Sequence, residues 1–164
     1  MKTLYCSVTL VFMIFATTME QTEAQQANAQ DVKTAVRMAW DAYIDAFSAG
    51  RTDLVASEIY AAPSYQLGES GGTVRMSVSD VKAAFDAIHA SLNDARYARS
   101  ETDVATICVI NPGTALLSAR YTRYRDDGTV LTKGASSYLF GKLRDDWRIV
   151  AIMGNPSGNL ITCD

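Results

Sequence analysis

The spacing of apolar residues changes near Tyr97, and this change restricts the chain to few architectures. Between residues 31 and 94, apolar side chains recur every three or four positions, which predicts amphipathic helices. From Tyr97 onward they recur every second position, which predicts strands. Helices first and strands last favour an α+β domain, with helices packed on one face of a curved antiparallel sheet.

Three helices are predicted, over residues 31–49, 52–60 and 77–94. Gly50 ends the first helix, because glycine takes a positive φ at little cost. Ser77 and Asp80 have the spacing of a capping box at the start of the third helix.

A short hairpin and a four-strand meander account for the strands. The hairpin strands are predicted at residues 64–67 and 73–77, joined by a glycine-rich turn. Short turns separate the later strands, so these should pair antiparallel in chain order. The predicted meander strands cover residues 102–110, 115–125, 129–143 and 147–153.

The last predicted strand is apolar on both faces. Strict alternation places Val150 and Ile152 on one face, and on the other Trp147, Ile149, Ala151 and Met153. A sheet with one face in water should alternate apolar with polar residues. Because the C-terminal segment looks too short to cover a sheet, we expect a homodimer through the outer sheet face.

The first 29 residues have the layout of a secretory signal peptide and flexible leader. Lys2 precedes an apolar run over residues 4–16, and small residues follow at two candidate cleavage sites, after Ala24 or Ala29. We therefore expect an exported protein, periplasmic or secreted, whose folded domain spans residues 30–164 and has no membrane partner after processing. An uncleaved membrane anchor is the alternative.

Export gives the cysteines a second interpretation. Cys6 lies in the predicted signal, which leaves Cys108 and Cys163 in an oxidising compartment, where they could form a disulfide. Alternatively, Cys108 is a small buried apolar residue and Cys163 a free thiol. The sequence does not decide between these alternatives.

Charge and residue content exclude several classes of protein. The formal net charge of −3 and the pI near 5.1 argue against a nucleic-acid partner. One histidine and two separated cysteines give no metal-ligand cluster, so we expect neither a metal nor another cofactor.

Three segments carry a resemblance to a known family. They are Tyr43-Ile44-Asp45-Ala46-Phe47-Ser48-Ala49-Gly50, the stretch from Asp53 to Tyr60, and Asp146-Trp147-Arg148-Ile149-Val150. In these segments and in its order of elements, the chain resembles the nuclear transport factor 2-like superfamily, also called the SnoaL-like or ketosteroid-isomerase-like fold. The resemblance implies a cone-shaped domain with an apolar pocket between sheet and helices, but no single activity.

The implied pocket is rich in aromatic side chains with polar tips, which suits a small apolar or aromatic ligand. The candidate ligand-binding residues are Trp40, Tyr43, Phe47, Tyr60, Tyr65, Phe85 and Tyr138.

Catalysis is only weakly supported by the same resemblance. Tyr43 matches the oxyanion-hole tyrosine of the isomerases, but their two carboxylates have no counterpart at residues 66–68 and 138–140. Glu69 and His89, the only histidine, are the remaining candidates for a base. These absences favour binding over an isomerase, cyclase or hydrolase of SnoaL-like type, and a non-catalytic dimeric interaction protein is a third alternative.

A basic stretch at Arg120, Arg123 and Arg125 lies beside two aspartates at a predicted hairpin turn. A solvated strand edge with local ion pairs accounts for it. An anionic ligand near Arg120 is the alternative.

Overall fold

A computed structural model describes residues 6–156 and 159–163, with side chains described at residue 26 and from residue 28 onward. It confirms the α+β architecture: three helices pack on one face of a curved, unclosed sheet of six strands.

The helices are α1 (Cys6–Ser48), α2 (Thr52–Leu54) and α3 (Val78–Asp94), and a π-helical turn (Val55–Ile59) continues α2. In the described residues, α1 runs without a break through the segment that the sequence assigns to the signal peptide and flexible leader. No glycine or proline interrupts this stretch, and its alanines and glutamines are good helix formers. Residues 1–5 of the predicted signal lie outside the described residues.

Among the described side chains of α1, Val32 is the first that is buried. Gln26, Asn28 and Gln30 are exposed, whereas Val32 is buried. The helix is thus anchored by its C-terminal half, whose apolar side chains contact the sheet at intervals of three and four residues.

Two predicted helix-end signals are confirmed. Gly50 has a φ of 69°, the left-handed conformation that ends a helix. The Ser77 hydroxyl accepts a hydrogen bond from the Asp80 amide at 3.2 Å, and the Ser77 amide donates to Asp80 Oδ2 at 2.9 Å. The start of α3, and therefore the position of its inward face, is fixed by this pair.

The sheet contains the predicted hairpin and meander, with strand order β2-β1-β6-β5-β4-β3. All neighbouring strands are antiparallel except β1 and β6, which are parallel and join the hairpin to the meander. The strands are β1 (Tyr60–Gly68), β2 (Gly71–Arg75), β3 (Tyr97–Asn111), β4 (Thr114–Arg125), β5 (Val130–Leu143) and β6 (Asp146–Asn155).

A bulge at Val150 breaks the alternation that the sequence suggested for β6. Ile149 and Ala151 pair with consecutive residues of β5, so Val150 between them has no partner. As a result Ile149 and Ile152 both pack towards the helices, while Ala151 and Met153 face outward. The assignment of Ile149, Ala151 and Met153 to one face is wrong for this reason.

The C-terminal segment crosses the outer face of β3 and β4, contrary to the expectation that it is too short to cover a sheet. The Ile161 amide donates to Ser118 Oγ at 3.0 Å, and the Thr106 hydroxyl donates to the Ile161 carbonyl at 2.7 Å. Ser118 and Ser137 are on the outer face but buried, and they share a 3.0 Å hydrogen bond. The segment thus covers part of the outer face.

A disulfide between Cys108 on β3 and Cys163 ties this segment down, with the two Cα atoms 5.5 Å apart. It closes a loop across 55 residues. Constraining such a loop disfavours the unfolded chain more than the folded one.

Replacing both cysteines, Cys108→Ser with Cys163→Ser, should lower the free energy of unfolding by about 2–4 kcal/mol. Urea denaturation with and without a reducing agent measures this. The reducing agent should lower the midpoint of the wild type to that of the double variant and leave the variant unchanged. A wild-type midpoint that ignores the reducing agent would contradict the stabilising role.

Candidate functional site

A cavity of about 270 Å³ lies between α1, α3 and the inner face of the sheet. It is partly open to solvent, and the β1–β2 hairpin contributes Gln66 and Arg75 to its lining. Its lining residues are Tyr43, Phe47, Tyr60, Gln66, Arg75, Phe85, Ile88, Tyr121, Arg123, Ser136, Tyr138, Ile152 and Gly154.

Aromatic rings from three elements form one wall of the cavity. Tyr43 and Phe47 are one turn apart on α1, and Phe85 on α3 meets both. Tyr60 completes the wall, with ring centroids 5.7 Å from Tyr43 and 5.0 Å from Phe85. Tilted and edge-to-face contacts of this kind hold aromatic rings in fixed relative positions.

Three tyrosine hydroxyls belong to this wall and to the adjoining sheet. Burial raises the pKa of Tyr43, Tyr60 and Tyr138 well above 10.0. All three therefore stay protonated at neutral pH and can donate hydrogen bonds. The Tyr60 hydroxyl interacts with that of Tyr43, but it makes no well-formed hydrogen bond with the described residues.

Two guanidinium groups, from Arg75 on β2 and Arg123 on β4, also reach the cavity. The Arg123 guanidinium carbon lies 5.3 Å from the ring centroid of Phe47 and 5.1 Å from that of Tyr121. Arg75 donates a 2.5 Å hydrogen bond to Gln66 Oε1. Neither arginine lies within 4.0 Å of a carboxylate in the described part of the chain.

Five of the seven predicted ligand-binding residues line the cavity: Tyr43, Phe47, Tyr60, Phe85 and Tyr138.

Trp40 and Tyr65 are the two exceptions. Trp40 is fully buried behind the wall, 4.7 Å from Tyr138 between ring centroids, and its indole N–H donates to Thr102 Oγ1 at 3.0 Å. Tyr65 is 41% exposed on the outer face, because its neighbour Gln66 takes the inward position on β1.

The three candidate catalytic residues are not brought together. Tyr43 lines the cavity, whereas Glu69 is exposed in the β1–β2 turn. His89 is buried against Phe47 and Tyr97 and is not part of the cavity lining. No carboxylate is among the described residues that line the cavity.

Arg123 lines the cavity rather than a solvated strand edge, and its inward direction can be read from the alternation of β4. Leu117 is buried in the core, and Ala119, Tyr121 and Arg123 follow it at intervals of two on β4. Alternation therefore turns Arg123 inward. Arg120, which was the candidate for an anionic ligand, faces outward and is exposed.

The described residues contain no group of histidine, cysteine and acidic side chains suited to a metal ion. Among their helices, none combines the length and hydrophobicity needed to cross a bilayer.

Residues 19–157 match the family model described as NTF2-like protein (DUF6841). Since the match covers most of the sequence, the chain belongs to this NTF2-like family, as the resemblance implied. No curated protein matches the sequence.

Solved structures share the fold at low sequence identity. An NTF2-like protein with a cystatin-like fold from Novosphingobium aromaticivorans has a TM-score of 0.65 and 15% identity, covering 81% of this chain and 86% of its own. An NTF2-like protein of unknown function from Shewanella oneidensis has a TM-score of 0.61 and 14% identity, with coverages of 76% and 98%. A protein of unknown function from Mycobacterium tuberculosis has a TM-score of 0.63 and 14% identity, with coverages of 79% and 74%. Identities this low establish the fold alone.

His89 should make folding stability depend on pH. Burial, followed by the charge of Arg123, lowers the pKa of His89 below its ordinary 6.5, against a smaller opposing effect of the Phe47 backbone and Asp86. The unfolded chain therefore binds a proton at pH values where the folded chain does not, so stability is lost as the pH falls below about 6.5.

The melting temperature of the wild type should decrease as the pH is lowered from about 7.5 to about 5, the range in which histidine titrates. His89→Phe keeps an aromatic ring against Phe47 and cannot titrate, so its melting temperature should fall less over the same range. Thermal unfolding followed by circular dichroism measures both. The same pH dependence in the two proteins would show that His89 is not the responsible group.

Proposed function

We propose that this chain is an exported small-molecule-binding domain whose cavity holds a small ligand with an apolar or aromatic body. The observation that carries the proposal is the aromatic wall of Tyr43, Phe47, Tyr60 and Phe85 around a cavity of about 270 Å³. This volume is just below the range of about 300–1,000 Å³ typical of sites for drug-sized molecules, so the ligand is smaller than these.

The buried hydroxyls of Tyr43 and Tyr60 support the same proposal. They interact with each other, but Tyr60 makes no well-formed hydrogen bond with the described residues. A ligand with a polar atom beside this pair would gain a hydrogen bond on binding. The tyrosines then fix the ligand's orientation while the phenylalanines contact its body.

The residues that line the cavity favour binding over catalysis by proton transfer. Tyr43, Tyr60 and Tyr138 hold their protons at neutral pH, and arginine does not lose its proton in proteins. A SnoaL-like enzyme would need a base that the described lining does not contain. A purely structural role would leave the open, polar-tipped cavity without a purpose.

Export is supported by the N-terminal sequence and by the disulfide. The apolar run at residues 4–16 with a positive start is typical of a signal peptide. The bond between Cys108 and Cys163 suits an oxidising compartment. Cleavage after Ala24 or Ala29 would keep Val32 and every later contact of α1 with the sheet.

Binding is tested with benzamide, a neutral probe that has an aromatic ring and a polar end. Tyr43→Phe should weaken benzamide binding about 2–10-fold, the effect of one neutral hydrogen bond, and leave the melting temperature nearly unchanged. Tyr65→Phe is the matched control, because it makes the same chemical change on the exposed outer face, away from the cavity. Isothermal titration calorimetry measures the affinities.

Equal benzamide affinity in the wild type and both variants would remove Tyr43 from the site. Native mass spectrometry of protein purified from its own source complements this measurement. It should detect a bound small molecule, and a denatured sample gives the mass of the N-terminally processed chain.

We also propose a homodimer through the part of the outer face that the C-terminal segment leaves uncovered. There, Tyr65, Leu67 and Val74 of the hairpin are exposed beside Met153 of β6. Adjacent apolar side chains on an exposed sheet are typical of a surface that another copy covers.

Light scattering at micromolar concentration should give twice the chain mass for the wild type. Leu67→Lys should give a monomer, because it places a charge in the apolar patch. Met38→Lys is the control, since Met38 is equally apolar and 67% exposed on α1, away from the sheet. A monomeric wild type would remove the proposal.

A further inference from the structure

The cavity carries a positive charge that the described residues do not neutralise. Arg75 and Arg123 both line it, and no aspartate or glutamate is among its described lining residues. This charge is local, since the whole chain has a formal net charge of −3. A cavity lined by two arginines attracts anions even in a protein of net negative charge.

Arg123 is held as a binding group would be. The rings of Phe47 and Tyr121 pack near its guanidinium at 5.3 and 5.1 Å, which restricts the side chain without using its N–H donors. Its Nε is buried and has no hydrogen-bond partner. Gly134 opposite Tyr121 allows this arrangement, because a Cβ there would lie 2.5 Å from the Tyr121 hydroxyl.

An unpaired, partly buried guanidinium is unusual in a folded protein. Burying a charge is costly unless an opposite charge or hydrogen bonds compensate for it. Elsewhere in this chain, arginines at comparable turns have acidic partners: Arg96 pairs with Asp126, and Arg99 with Glu101, both at the surface. Arg123 has no acidic partner among the described residues, so its charge is available to a ligand in the cavity.

We propose that the ligand of this cavity is a small aromatic or apolar monocarboxylate whose carboxylate pairs with Arg123. The proposal rests on the function proposed above and adds the charge of the ligand. The planar guanidinium matches a carboxylate with two parallel hydrogen bonds. The aromatic wall contacts the body of the ligand, and Arg75, oriented by Gln66, adds a second positive charge at the rim.

Benzoate and benzamide test this proposal, because they have similar shapes and differ in charge. Isothermal titration calorimetry should show at least about tenfold tighter binding of benzoate by the wild type, the effect of a charged hydrogen bond. Arg123→Gln should remove this preference. Arg123→Lys should retain part of it, because lysine keeps the positive charge but lacks the planar pair of N–H donors.

Arg120→Gln is the matched control, because Arg120 lies on the same strand and faces outward. It should leave the preference for benzoate intact. Melting temperatures of all variants confirm that they are folded, and Arg123→Lys keeps the test informative if Arg123→Gln unfolds.

Each result decides a different point. Equal binding of benzamide and benzoate by the wild type would overturn the anion assignment and leave the proposed binding function standing. A preference for benzoate that Arg120→Gln abolishes and Arg123→Gln retains would also overturn it. Binding of neither probe would count against both proposals.

Discussion

The packing of Trp40 between α1 and the sheet determines where the cone is closed and where it is open. Trp40 is fully buried, its ring lies 4.7 Å from Tyr138, and its N–H bonds to Thr102. This contact fixes α1 against β3 and β5 at one end of the sheet. Further along α1, Tyr43 and Phe47 meet rings of α3 and β1 as well as rings of the meander, and the cavity lies beside these contacts.

Most of the fold followed from local sequence signals. The change of apolar spacing near Tyr97, the positive φ of Gly50 and the capping box at Ser77 each depend only on residues that are close together in the sequence. The bulge at Val150 and the C-terminal segment over Ser118 did not follow, because each depends on a partner strand distant in sequence. The alternation of side chains within one strand does not show that the paired segment of its partner strand contains one residue fewer.

The residues of the candidate site were likewise predictable only in part. The aromatic members of the cavity were predictable, because large apolar side chains on the inward stripe of α1 and α3 must meet the sheet. Tyr65 faces outward because Gln66 takes the inward position on β1, and nothing in the β1 sequence alone shows which of the two neighbours faces the cavity. Arg123 was assigned to a solvated edge together with Arg120, although the two lie three apart on a strand and must face opposite ways.

The titration behaviour of the cavity residues limits the chemistry that the site can perform. Burial keeps the tyrosines protonated, the arginines stay charged, and His89, whose pKa is lowered, lies outside the cavity lining. The lining thus offers hydroxyl groups, which can donate or accept hydrogen bonds, and two guanidinium groups, which can only donate. The guanidinium groups recognise an acceptor, and a carboxylate is a strong one. The lining residues that disfavour proton abstraction therefore favour the binding of an anion.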